Sequence, residues 1–153
     1  MVQILVLYYS TGGNTEALAR AVADGVRALA QVSLKRVDYA TVNDLTTCDG
    51  AAFGSPNYFG YMAGVLKDYF DKAWSARTSV AGKPFVAFTS GGGTSSNALT
   101  SIENMGNFFK MEKVADGVVS SRKPSEEDLE KCKNLGKKLA EAAVAKAGET
   151  PVR

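Results

Sequence analysis

One stretch restricts the possible folds more than any other. Residues Val2-Gln3-Ile4-Leu5-Val6-Leu7-Tyr8 are almost wholly apolar and run straight into Tyr9-Ser10-Thr11-Gly12-Gly13-Asn14-Thr15. A strand that is apolar on both faces, rather than alternating, suits the middle of a parallel sheet with helices on each side. The run predicts a strand over about Gln3 to Tyr9. A helix then follows from about Asn14 to Ala30, with Leu18, Val22, Val26 and Leu29 facing the sheet at helical spacing.

The alternation of strand and helix repeats five times. Further strands are expected at about Val32 to Val37, Gly50 to Gly54, Phe85 to Phe88, and Lys113 to Val119, the last interrupted by Asp116 and Gly117. The weaker alternation of the second marks it as an edge. Asn43-Asp44-Leu45 starts a short turn. A helix from about Met62 to Ala76 buries Val65, Leu66, Tyr69, Phe70 and Ala73, with Asp68 and Lys72 paired on its outer face. Another, from about Asn97 to Phe109, buries Leu99, Ile102 and Phe109. Ser125 caps the last helix, acids Glu126, Glu127 and Asp128 favour its positive end, and Leu129, Cys132, Gly136, Leu139 and Ala143 form its inner face. The tail from Gly148 to Arg153 reads as frayed, and residues 1–153 as one domain. Five such repeats predict an α/β, three-layer, doubly wound domain with a five-stranded parallel sheet of order 2-1-3-4-5. Its binding crevice then lies beside the first and third strands, at their carboxyl ends.

Three loops should meet there. In the first, Gly12 and Gly13 let the backbone curl, Ser10, Thr11 and Thr15 add hydroxyl donors, and a helix begins at Asn14. The opening turn of a helix has unpaired N–H groups and a dipole that favours anions. With no Lys or Arg in the turn, neutral donors must do the holding, which suits a terminal monoester phosphate. The P-loop lysine and the Gly-x-Gly-x-x-Gly fingerprint are both absent. The plainer alternative is a strand-to-helix turn with Asn14 as cap. The second loop carries Pro56, Asn57, Tyr58, Phe59 and Gly60, followed by Tyr61. Adjacent aromatics on a turn suit a flat ring system; the alternative is that Phe59 and Tyr61 cap the core. The third loop, Thr89-Ser90-Gly91-Gly92-Gly93-Thr94-Ser95-Ser96-Asn97, offers hydroxyls and backbone without charge, or else is an uninvolved flexible turn.

A phosphate anchor, an aromatic platform and a polar backbone clamp together fit FMN. The chain resembles the flavodoxin-like FMN-binding superfamily, nearest the WrbA-type NAD(P)H:quinone oxidoreductases. The matching stretches are Leu5 to Thr15, Gly54 to Gly64 and Phe88 to Gly92. The resemblance implies that Ser10, Thr11, Asn14 and Thr15 hold phosphate, that Pro56 to Gly60 line the flavin ring, and that Thr89 to Gly93 line its pyrimidine side. It departs from that type in having no histidine and in being shorter.

Two activities follow. As an enzyme, the protein takes hydride from NAD(P)H onto flavin and passes electrons to a quinone or similar small acceptor, with Tyr58 as a candidate proton donor. As a carrier, it shuttles single electrons between redox partner proteins. Carriers of this kind are strongly acidic and sandwich the ring between two aromatics. Here 18 basic residues meet 16 acidic ones, and the third loop has no aromatic, so the charge argument favours the enzyme. Asp38, Asp44 and Asp49 are the acids nearest the loops in sequence, and each reads as a solvated surface group. A phosphoacceptor domain of the same strand order fails, because Tyr9-Ser10 and Gly54-Ser55 stand where it needs acids.

The remaining features set limits. The absence of histidine excludes an imidazole base or a His-ligated metal. No Lys/Arg-dense run suggests nucleic acid. Cys48 and Cys132, far apart, read as inert thiols of a reducing compartment. With no membrane-spanning run and no leader before the first strand, a cytoplasmic protein is expected. A homo-oligomer is left open.

Overall fold

The computed structural model describes residues 1–149. The apolar run forms β1 (Gln3–Tyr8), flanked in parallel by β2 (Gln31–Arg36) and β3 (Gly50–Pro56), with β4 (Pro84–Ser90) beyond β3. The expected fifth strand is two short pieces, β5 (Glu112–Lys113) and β6 (Val118–Ser120), both parallel to β4. Its break spans residues 114–117, where Asp116 and Gly117 interrupt the apolar pattern. The order is β2-β1-β3-β4-β5, with β6 also on β4.

Period-two alternation along β1 divides the core. Ile4 and Val6 join α1 (Asn14–Arg27) and α5 (Glu126–Glu149) on one face. Leu5 and Leu7 join α2 (Val42–Thr47), α3 (Gly64–Ala73) and α4 (Ser95–Phe108) on the other. That second side is aromatic: Phe70 lies edge-on to Phe53 at 5.0 Å and tilted against Phe109 at 5.7 Å. On the first side α1 and α5 cross without room for a methyl group. A Cβ on Gly25 would lie 1.9 Å from the Lys133 carbonyl oxygen, and one on Gly136 would lie 2.0 Å from that of Val22.

The helix faces differ from the expected ones at their ends. α1 stops at Arg27, so Leu29 falls past its stripe and stands 41% exposed. Val65 is off the buried face because Leu66, Tyr69, Phe70 and Ala73 already complete the i, i+3, i+4, i+7 set. Leu99 and Leu129 are half-buried. α3 ends at Ala73 and tightens into a 3₁₀ turn over Trp74–Ser79. α4 starts two residues early, at Ser95. The short turn at Asn43 to Leu45 is the helix α2, where Thr41 and Asp44 form a capping box. Asp68 and Lys72 pair at 2.9 Å. The last helix begins as expected: the Ser125 hydroxyl accepts the Asp128 N–H at 3.0 Å, and the Asp128 carboxylate accepts the Ser125 N–H at 3.1 Å. Gly148 and Glu149, expected in a frayed tail, are the final helical residues; positions 150–153 of that tail lie outside the described residues.

Candidate functional site

β1, β3 and β4 deliver the three loops to the same end of the sheet. In the first loop, Gly13 at φ +92° occupies the cap position of α1, and its carbonyl accepts the Ala17 N–H at 3.0 Å. Asn14 is therefore the first helical residue and not the cap, because the left-handed turn that starts the helix is open to glycine. The Gly13 N–H donates to the Ser10 hydroxyl at 3.1 Å. Among the described residues, the N–H groups of Thr11, Gly12, Asn14, Thr15 and Glu16 have no acceptor. These groups sit at the positive end of a fourteen-residue helix. A Cβ at Gly12 or Gly13 would meet nothing within 4 Å, so the concavity is open.

Arg36, at the end of β2, supports this loop from behind. Its guanidinium donates to the Ser10 carbonyl oxygen, lies 4.8 Å from the centre of the Tyr9 ring, and pairs with Asp38 at 2.9 Å. Sequence reasoning, which found no cation within the turn, missed it; only the pairing of β1 with β2 brings the side chain across.

The second loop is a two-residue hairpin turn. Tyr58 and Tyr61 exchange backbone bonds of 2.9 and 3.1 Å, and Phe59 and Gly60 between them have φ of +57° and +78°. Left-handed backbone at a non-glycine residue costs about 1–2 kcal/mol. Phe59 is nonetheless held there with its ring fully exposed, so it does not cap the core, and Tyr61 is also exposed. The Tyr58 hydroxyl lies 3.3 Å from Thr11 Oγ1, joining the second loop to the first.

Asn57 joins the second loop to the third. Its backbone N–H donates to the Ser90 carbonyl at 2.7 Å. Its Oδ1 accepts the Gly60 N–H at 2.9 Å, and its Nδ2 donates to the Gly92 carbonyl and Thr94 Oγ1, each at 3.0 Å. The side chain is thus spent on fastening loops. Beneath the crevice, Thr15 Oγ1 and Ser90 Oγ are 2.7 Å apart and buried. Thr89 Oγ1 donates to the Ser95 carbonyl at 3.0 Å and accepts the Ser95 hydroxyl at 3.1 Å. Gly91 donates its N–H to the Ser120 carbonyl at 2.9 Å. The third loop is tied on both sides and is no free turn. Pro56 ends β3, while Gly92 and Gly93 lie exposed at the tip of the third loop.

Of the acids nearest the loops in sequence, Asp38 pairs with Arg36 and Asp44 pairs with Lys35 at 2.8 Å, whereas Asp49 lies at the opposite end of the sheet, where it accepts the Gln3 N–H at 2.8 Å. Burial, with Glu16 beside it, pushes the Tyr8 hydroxyl above the usual tyrosine range. Burial also pushes the thiols up, Cys48 to about 11 and Cys132 to about 12. Among the described residues no helix is long and apolar enough to cross a membrane. The arrangement can take a multi-oxygen anion at the head of α1 and a flat, partly apolar body between the second and third loops.

Known proteins share this fold. The family model described as Flavodoxin matches residues 6–136. A flavodoxin of Aquifex aeolicus is 35% identical over 92% of this chain and 86% of its own. A protein of Rhodopseudomonas palustris named NAD(P)H dehydrogenase (quinone) is 32% identical over 94% of this chain and 98% of its own. Among solved structures, an archaeal flavodoxin superposes with a TM-score of 0.85 at 27% identity, covering 94% of this chain and 99% of its own.

Proposed function

Because the chain belongs to the flavodoxin family, we propose that it binds FMN across its three loops and acts as an NAD(P)H-dependent oxidoreductase with a quinone-type acceptor. The observation that carries the cofactor reading is the set of five N–H groups from Thr11 to Glu16 that have no acceptor among the described residues. A phosphate dianion at a helix N-terminus satisfies such donors, each bond to a charged group contributing about 1.5–3 kcal/mol. On this reading Ser10, Thr11, Gly12, Gly13, Asn14 and Thr15 form the phosphate cradle. Pro56, Tyr58, Phe59 and Gly60 flank the ring, with Asn57 setting their position. Gly91, Gly92 and Gly93 face its polar edge, while the buried Thr89 and Ser90 fasten the loop from below.

Bound flavin supplies hydride and electron transfer; the protein binds, orients and tunes it. The chain's own part is physical. The hairpin turn presents Phe59 at the crevice, its Gly60 N–H being held by Asn57, and the rigid third loop offers backbone groups to a heterocycle edge. Tyr58 is the residue proposed to hold or move a proton, through a hydroxyl already placed beside Thr11. The relative named NAD(P)H dehydrogenase (quinone), matched over nearly its whole length, supports an enzyme. The paired state of Asp38 and Asp44 supports it too: a carrier gains by crowding free carboxylates around the ring, and these are neutralised. The two buried thiols suit a reducing cytoplasm.

The similarity to the Aquifex aeolicus flavodoxin favours a second reading, a carrier of single electrons between redox proteins. Anaerobic titration separates the two. The FMN-loaded protein should bleach with NADH or NADPH and recover its colour on adding a quinone. A protein that resists both nucleotides and holds a stable one-electron-reduced state instead is the carrier.

A further inference from the structure

The segments that lead into β4 and β5 lie at the opposite end of the sheet from the three loops, and between them is a concavity of about 360 Å³. Trp74, Arg77, Thr78, Ala81, Phe108, Phe109 and Lys110 line it. Trp74 packs edge-to-face on Phe109 at 5.2 Å, and the Arg77 guanidinium lies 4.5 Å from the centre of the Trp74 ring. Trp74 and Phe108 remain 42% and 64% exposed, so two large aromatics face water on one concave surface. None of the lining residues is acidic, and among the described residues neither Arg77 nor Lys110 has a carboxylate partner.

Lys110 adds an independent observation. α4 ends in a Schellman motif, with the Met111 N–H on the Gly106 carbonyl at 2.9 Å and the Lys110 N–H on the Asn107 carbonyl at 3.0 Å. The left-handed residue of that motif is ordinarily glycine. Here it is Lys110, at φ +58°. A strained position held by a cation, beside a second cation without a carboxylate partner among the described residues and two exposed rings, is the kind of outlier that points to use. Glycine would be the easier residue to place there, but it would leave the concavity with one charge.

We propose that Trp74, Arg77, Phe108 and Lys110 form a second binding site, for a planar aromatic anion. The aromatic walls take the ring, which suits a pocket of this size lined mainly by apolar groups with a few charges. Arg77 and Lys110 take the carboxylate or phosphate group. Arg77 is already oriented, because it stacks on Trp74 and donates to the Trp74 carbonyl at 3.1 Å. The site does not depend on FMN, since no residue of the three loops takes part.

Trp74 is the single tryptophan of the chain, so its indole N–H gives one nitrogen–proton NMR signal that reports the site directly. The probe is 2-naphthoate, with neutral 2-naphthalenemethanol and ringless propionate as controls, each titrated into the full chain with and without FMN. Naphthoate should shift the signal saturably, the alcohol more weakly, and propionate hardly at all. Arg77→Ala and Lys110→Gly should each weaken naphthoate about two- to fivefold, the range exposed ion pairs provide, and leave the alcohol unchanged. Lys110→Gly should at the same time raise thermal stability, which separates a ligand role from a structural one. Equal binding of acid and alcohol overturns the proposal. So does an unshifted signal, naphthoate affinity unchanged in both variants, or sedimentation showing that a second copy of the chain covers this face. Failure of FMN to bind, with the naphthoate shift intact, would count against the flavin reading alone.

Discussion

Replacing Asn57 by alanine tests how the crevice is built. The substitution removes four side-chain hydrogen bonds: Oδ1 accepts the Gly60 N–H at 2.9 Å and the Thr94 hydroxyl at a long 3.4 Å, and Nδ2 donates to the Gly92 carbonyl and to Thr94 Oγ1 at 3.0 Å each. A net contribution of about 0.5–1.5 kcal/mol for each of the three short bonds gives about 1.5–4.5 kcal/mol, and the long fourth bond adds little. Asn57 is half-buried, so water replaces part of each bond, and the lower portion applies: about 1.5–2 kcal/mol. That loss falls on the relative placement of the second and third loops, because the strands below hold independently. It should appear as a roughly ten- to thirtyfold drop in flavin affinity. FMN and riboflavin should lose the same factor, since the phosphate cradle is untouched. Asn57→Asp, which keeps the acceptor but turns a carboxylate towards the Gly92 carbonyl, should lose at least as much. Isothermal calorimetry with both ligands measures this. Loss for FMN alone would mean that Asn57 acts on the phosphate, and a change under about twofold for both would refute the fastening role.

Gly136→Ala should destabilise the fold by about 1–3 kcal/mol in urea, against the usual helix gain of about 1 kcal/mol, because the added methyl meets the Val22 carbonyl. Gly25→Ala, against the Lys133 carbonyl, should behave alike. Cys48 and Cys132, raised to about 11 and about 12 by burial, should resist a thiol-specific disulfide reagent at neutral pH until the protein is unfolded. The Ser125 N–H, with that residue's hydroxyl and Ser120 also contributing, holds the Asp128 carboxyl below the ordinary range. A depressed folded-state value gives stability above the ordinary carboxylate range that is lost as pH falls through the depressed one. Asp128→Asn, which removes the carboxylate, should therefore cost stability at neutral pH and progressively less in acid, as followed by urea denaturation at several pH values.

Local patterns carried the sequence reading where the cause is local. β1 is legible because burial on both faces leaves a nearly unbroken apolar run, and the cap of α5 is legible because Ser125 and Asp128 are three residues apart. The break between β5 and β6 shows in Asp116 and Gly117. Periodicity does not say where a helix ends or how wide its buried stripe is, so Leu29, past the end of α1, and Val65, beside the complete stripe of α3, read as core in the sequence yet stand exposed. What the sequence could not show is tertiary. Asn57 reaches residues 35 and 37 positions away. Arg36 crosses to Ser10 only because β2 lies beside β1, and the left-handed Lys110 depends on how α4 ends. The residue types of the candidate site were readable, but which side chains face a ligand and which fasten the loops was not.

The central claim is that backbone amides at the head of α1 hold a phosphate group. Calorimetry of the intact protein with FMN and with riboflavin tests it most directly. FMN should bind at least about a hundredfold more tightly than riboflavin, some 2.7 kcal/mol, the advantage coming from the phosphate alone. Equal affinity for the two, or no binding of FMN, would contradict it.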